Sequence, residues 1–201
     1  MTEVGEQRID GRTARRERGK NAVIDAAFRI LASGRPATTE VLAREAGIST
    51  SSLFRYFDGL DDLFRQAAAR FYIEHVELFE ASPAPGADRS ERIAQFVDLR
   101  LRAVTALSMW VKRAEAAVLD HPELGTVLDE LRLRTAAQVS TFFGPELEHL
   151  PPAKRADVVA TIDASNSVIA GRVMIEVHGR SEAQIRRSWR WAIGTLLDDL
   201  D

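Results

Sequence analysis

Between Thr50 and Tyr56 the chain reads TSSLFRY, which gathers three hydroxyls, a guanidinium and a phenol into one short stretch. On a helix, Leu53 and Phe57, four residues apart, share an inward face, and Thr50, Ser51, Ser52, Arg55 and Tyr56 then point outward. An arginine can pair with a guanine edge through two hydrogen bonds, and short hydroxyls can meet base edges or phosphate oxygens. Thr38 and Thr39, ahead of Glu40-Val41-Leu42, offer two more hydroxyls at a helix start, where free backbone N–H groups suit a phosphate. Further forward lie Arg12, Arg15, Arg16, Arg18 and Lys20, and within residues 8–20 six basic side chains face two acidic ones. The net charge of -3 hides this polarity, because the first sixty residues carry +2 and the rest -5. A basic front on an acidic body suits a protein that touches phosphates with one end. Charge alone fits a solvated tail equally well.

Catalysis has little to work with. His75, His121, His149 and His178 lie in EHVEL, DHPEL, EHLPP and VHGRS, none of which spaces metal ligands as HExxH does, and there is no cysteine to complete a zinc site. Gly-x-Ser-x-Gly, a phosphate-binding loop and a dinucleotide fingerprint are also absent. A non-enzyme without metal or cofactor is expected. No run of about 20 apolar residues is available to cross a bilayer, and the opening residues do not resemble a signal peptide. The expected compartment is the cytoplasm.

The elements that must position these groups are helices. Apolar residues recur with helical spacing from residue 20 onward, and no sustained alternation marks a strand. A first helix runs from Lys20 to Ser33, with Val23, Ala27, Ile30 and Leu31 on one face, and ends at Gly34. A short second helix begins after Thr38 or Thr39 and ends at Gly47. Ile48 fills the corner, and Ser49 can cap a third helix. A fourth runs from Leu60 to about Phe79, and residues 81–90 form a loop rich in proline and glycine. The span Asp88–Asp120 is long for one helix and is expected to break near its middle. Gly144-Pro145 should end the next helix, another should run from Pro151-Pro152 to His178, and the last should open at Ser181 and reach about Leu200. About nine helices result. The expected organisation is a basic arm over 1–19, a helix-turn-helix domain over 20–65, and an all-α domain over 66–201.

The segments IDAAFRILASG, TTEVLAREAGIS and LFRYFDGLDDLF, taken together, resemble the tetracycline-repressor (TetR) family over residues 20–65. That resemblance implies a helix-turn-helix regulator that binds double-stranded DNA. Arg15, Arg16, Lys20, Thr38, Thr39, Thr50, Ser51, Ser52, Arg55 and Tyr56 would then be its DNA-binding residues. Two positions depart from the family pattern: Phe54 stands where tyrosine is common, and Leu60 where lysine is common. Both changes remove phosphate contacts, and the basic arm is expected to offset them.

The resemblance further implies a C-terminal domain that dimerises through the last two helices and encloses a site for an unknown small-molecule effector. Filling that site would release a palindromic operator. Ala160, Ala164, Ser167 and Gly171 form a stripe of small residues that allows close approach of a partner, unless it only closes the subunit's own core. On the last helix Ile185, Trp189, Ile193, Leu196 and Leu200 share a face, with Trp191 off it. Phe96, Met109, Trp110, Glu115, Phe142, Phe143, Asn166 and Met174 are the candidate ligand-binding residues, with Arg100 and Arg113 as further polar groups to orient a ligand, against an ordinary core with surface charges as the alternative. A helical adaptor without DNA binding is the rival from another class, and salt-dependent, sequence-specific binding separates the two.

Overall fold

The computed structural model describes residues 11–200. The first ten residues of the expected arm lie outside the described residues, as does the Arg12 side chain. Ten helices and no strand occur among the described residues. They are α1 (Gly11–Ser33), α2 (Thr39–Glu45), α3 (Thr50–Tyr56), α4 (Leu60–Glu74), α5 (Val76–Phe79), α6 (Arg89–Ala117), α7 (Glu123–Leu147), α8 (Pro152–Ser165), α9 (Val168–Glu176) and α10 (Glu182–Asp198). The chain divides into two compact units, the first ending at Ala69 and the second beginning at Arg70. None of the described helices is by itself long and apolar enough to cross a membrane.

In the first unit α1, α2 and α3 close on one another around Val23, Ala27, Ile30, Leu42, Leu53 and Phe57, all buried. Thr38 caps α2, its hydroxyl accepting from the Val41 N–H at 3.3 Å, and Ser49 caps α3 by accepting from the Ser52 N–H at 3.2 Å. Between them Gly47 turns the chain with φ +68°, a left-handed conformation that a Cβ would strain. Helix α1 begins at Gly11 rather than Lys20. The residues expected as an arm are therefore helical from Gly11 onward. Helix propensity favours this, since Ala, Arg, Glu and Lys dominate residues 14–20.

The second unit surrounds a core that includes Phe96, Val104, Val139, Phe143, Ile162, Ile185 and Trp189. Helix α6 is its spine and packs on α5, α7, α9 and α10. Contrary to the expected mid-break, α6 is one 29-residue helix. Its interior lacks glycine and proline, a capping box of Asp88 and Glu91 starts it, and buried residues from Ile93 to Leu107 hold it along about half of its length.

Three other helix boundaries differ from expectation. The helix expected over Leu60–Phe79 breaks at His75, whose φ of -126° and ψ of 26° are not helical. Helix α7 does not stop at Gly144 but continues to Leu147 across a kink at Phe143, because Pro145 denies the ladder one N–H and crowds the preceding turn. The helix expected from Pro151 to His178 is divided at Asn166 into α8 and α9, whose axes differ by 41°. There the Asn166 side chain donates to the Ile162 carbonyl at 2.9 Å, and Ser167 caps α9 by accepting from the Ala170 N–H at 3.1 Å. Asparagine and serine compete with the helix ladder for its own backbone groups, which favours a restart at this point.

Candidate functional site

The outward side of α3 carries a cluster of polar side chains. Leu53 and Phe57 are buried at 0% and 1% exposure, so the intervening turns must face solvent. Thr50, Ser51 and Arg55 are exposed, and Ser52 and Tyr56 are half-buried. The serines are tied together at the start of the helix: Ser49 Oγ lies 2.9 Å from Ser51 Oγ and donates to Ser52 Oγ at 3.0 Å. Arg55 Nη2 reaches Ser52 Oγ at 3.4 Å, and its guanidinium lies 5.5 Å from the centre of the Tyr56 ring. These restraints hold Arg55 along the outer face and leave donors of its planar fork for an incoming acceptor. Phe54 is more than half exposed on the same short helix, so an apolar ring stands where the resemblance would place a phenol.

The other expected DNA-facing residues are distributed unevenly. Arg15 and Arg16 are exposed on α1, one turn or more ahead of the buried segment. Lys20 is half-buried, with Nζ donating to Gln66 Oε1 at 3.4 Å and lying 5.8 Å from the centre of the Phe57 ring. It is partly spent on its own unit. Thr38 and Thr39 are half-buried, and Glu40 already occupies their donors. Its own backbone N–H, then the Thr38 and Thr39 hydroxyls, hold the Glu40 carboxyl below its usual range. An anion approaching the start of α2 meets this negative charge first, so the α2 start is less suited to phosphate than its hydroxyls suggest.

In the second unit a cavity of about 500 Å³ lies between α6, α7 and the α8–α9 junction, with α5 and Phe71 closing it. Its wall is mostly apolar, including Phe71, Phe79, Leu107, Leu131 and Val168. Such a volume and lining suit a small organic molecule. The polar groups of the wall are Arg100, Arg132, Thr135, Asp163 and Ser167. Arg100 is 4% exposed, and its Nη2 donates to the Thr135 carbonyl at 2.8 Å and to Asp163 Oδ1 at 2.9 Å. The guanidinium also stacks 4.7 Å from the centre of the Phe96 ring. Burial pulls the Arg100 pKa below its usual value, and the Asp163 carboxylate pulls it back up. Arginine keeps its proton against a shift of this kind.

None of the eight expected ligand-binding residues lines this cavity. Phe96, Phe142 and Phe143 are wholly buried against one another, with ring centres 5.2 to 6.4 Å apart. They are core. Met109 is 59% exposed, and Met174 packs at the edge of the core. Trp110 stands behind the wall, its ring 5.9 Å from that of Phe71. Glu115 holds the wall residue Arg132 at 3.0 Å and Arg172 at 3.5 Å. Asn166 is buried, and its amide closes the end of α8.

Arg100, which with Glu115, Arg113 and Asn166 is one of the polar groups expected to orient a ligand, does line the cavity. Ile93, Phe96, Val97, Val104, Leu107 and Val111 mark the inward stripe of α6, and Arg100 falls on it at helical spacing. A charge on a core stripe announces a buried partner. His75, by contrast, is accounted for locally, since its Nδ1 lies 2.9 Å from the Phe71 carbonyl and its ring stacks on Phe71 at 4.4 Å. No group of three or more metal-ligating side chains occurs among the described residues.

Comparison with known proteins bears on both units. Residues 23–67, which contain α2 and α3 and most of the first unit's core, match the family described as bacterial regulatory proteins, tetR family. No curated protein matches the sequence. The fold is similar to that of a transcriptional regulator from Rhodococcus sp. Rha1, at 18% identity over 92% of this chain and 96% of the other, with a TM-score of 0.58. A candidate tetR-family transcriptional regulator from Mesorhizobium loti MAFF303099 is similar at 16% identity, 92% and 97% coverage and a TM-score of 0.59. The multidrug binding protein EbrR, complexed with proflavin, is similar at 21% identity, 89% and 99% coverage and a TM-score of 0.55. The structures share the helical fold, and residues 23–67 of this chain are similar to the tetR family of bacterial regulatory proteins.

Proposed function

We propose that the protein is a sequence-specific regulator of transcription, a repressor that leaves a palindromic operator when a small molecule fills the cavity of its second unit. The observation that carries this reading is the outward set Thr50, Ser51, Ser52 and Arg55 on a helix anchored by the buried Leu53 and Phe57. Arg55 and Tyr56 make the strongest DNA contacts. Arg15 and Arg16 add phosphate contacts that offset those lost at Phe54 and Leu60, with Lys20 contributing less. The ligand site is the cavity beside Arg100, and the fold's occurrence in a proflavin-bound multidrug binding protein supports that use.

Dimerisation falls to α8–α9 and α10. Ala160 and Ala164 are exposed on α8, and Trp191 is 74% exposed on α10, whereas Ile185, Trp189 and Ile193 are committed to the subunit's core. Gly171 also faces inward, against Val104 and Trp189, so only part of the small-residue stripe serves a partner. A two-fold dimer sets recognition helices about 34–36 Å apart, one turn of DNA. Ligand then acts by favouring the conformers in which that spacing is lost. A cytoplasmic protein acting on DNA follows from the same reading.

The test is fluorescence anisotropy against the DNA flanking the protein's own gene, with scrambled DNA as control and salt varied. Specific binding with a steep salt dependence supports the reading. Binding no tighter than to scrambled DNA, there and after selection from random sequence, overturns it in favour of a helical adaptor.

A further inference from the structure

Arg55 stands in the middle of the outward face of α3, and Phe54 stands on its flank. Successive helical residues turn by about 100°, so Arg55 lies opposite the seam between the buried Leu53 and Phe57, and Phe54 lies roughly a quarter-turn round from it. Phe54 shares this flank with Thr50, four residues before it, and both are exposed. At 56% exposure the ring is largely uncovered within the first unit, although Thr50, Ser51, Ser52, Arg55 and Tyr56 around it are all polar. A phenyl ring has no hydrogen bond to offer a phosphate, and it gains free energy by burial against another apolar group. The major groove of DNA presents one such group, the C5 methyl of thymine. That methyl projects from the edge of the base nearest its own sugar-phosphate chain, toward the wall of the groove. A helix that aims Arg55 at the groove floor therefore carries Phe54 toward the wall where the methyl lies.

We infer that Phe54 is a specificity-determining residue that reads a thymine through its methyl group. This rests on α3 being the DNA-recognition helix and adds a base that it distinguishes. Cytosine has no methyl at C5 and forfeits the contact. Phe54 and Arg55 are consecutive, so the thymine belongs to the half-site that Arg55 reads. Where a tyrosine hydroxyl would hold a phosphate, alike for every sequence, the bare ring contributes to discrimination instead.

The test uses the full chain and the sequence it selects from random double-stranded DNA. Each thymine of one half-site is replaced in turn by deoxyuridine, which pairs as thymidine does and lacks only the methyl, and affinity is read by competition anisotropy. At least one replacement should weaken binding by about fourfold, the burial of one methyl group. Phe54→Ala, at an exposed position that spares the core, should bind the unmodified site more weakly and be indifferent to that replacement. Its salt slope should match that of the wild type, since an apolar contact releases no counterions. Three results overturn the inference while leaving DNA binding in place: no methyl-sensitive thymine, a sensitivity that persists in Phe54→Ala and so belongs to Thr50 or another residue, or a shallower salt slope in Phe54→Ala. Selection of no preferred sequence overturns the DNA-binding reading and this inference with it.

Discussion

The phenol of Tyr56 stands over the backbone of Gly19, so close that a Cβ on that glycine would lie 2.5 Å from its hydroxyl oxygen and 2.6 Å from Cζ. Helix α3 therefore leans on α1 through an approach that a side chain at residue 19 would block. Tyr56 lies next to the outward Arg55, and the same contact that packs the three helices also sets where its hydroxyl can point.

Gly19→Ala should separate packing from recognition. Within a helix alanine is favoured over glycine by about 1 kcal/mol, which offsets part of the cost of moving Tyr56. The expected outcome is near-unchanged stability in urea and weaker operator binding by anisotropy, at least as weak as that of Tyr56→Phe. Retained affinity in Gly19→Ala would show that the position of Tyr56 does not matter to DNA.

Arg55→Ala should lose discrimination between operator and mismatched DNA by about 1–3 kcal/mol, the worth of one bidentate base contact. Arg15→Ala and Arg16→Ala should instead weaken binding to all sequences alike and each reduce the salt slope by about one. Competition titrations at several salt concentrations distinguish the two patterns, and a uniform loss in Arg55→Ala would reassign that residue to the phosphate backbone.

Acid should loosen the first unit through Glu45. Its carboxyl accepts from Arg35 at 2.8 Å and from Arg29 at 3.0 Å, hydrogen bonds that hold its pKa below the ordinary 4.5. A folded-state pKa below the unfolded one means that the unfolded chain takes up the proton first as pH falls. This contribution is complete above about pH 4.5 and is lost as pH falls through the folded value. Glu45→Gln should change neutral-pH stability little and flatten the acid limb, read by circular dichroism from pH 7 downward.

Phe96→Ala should lower stability by about 3–5 kcal/mol, because it empties a site wholly enclosed by Phe142, Phe143 and the Arg100 guanidinium. Urea unfolding measures the loss. A variant of normal stability that had only lost ligand affinity would return Phe96 to the ligand site.

Much of this organisation is legible in the residues themselves. Thr38 and Ser49 as caps, Gly47 at φ +68° and the inward set Leu42, Leu53 and Phe57 are local features, and short-range sterics and hydrogen bonding determine each within a few residues. The outward polar face of α3 follows, because fixing which residues are buried on a seven-residue helix also fixes which are not. The cavity of the second unit follows no such rule. Phe96, Phe142 and Phe143 read as a lining for the same reason that they read as core, since large apolar side chains serve both, and only the packing of α6 on α7 decided that they fill each other's space. Arg100 and Asp163 are 63 residues apart, and neither identifies the other in a one-dimensional pattern. The chain by itself determined the caps of α2 and α3, the Gly47 turn and the polar face of α3, because these depend on neighbours along the backbone. The cavity and its buried charge pair depend on which distant helices meet, and only the tertiary structure decided that.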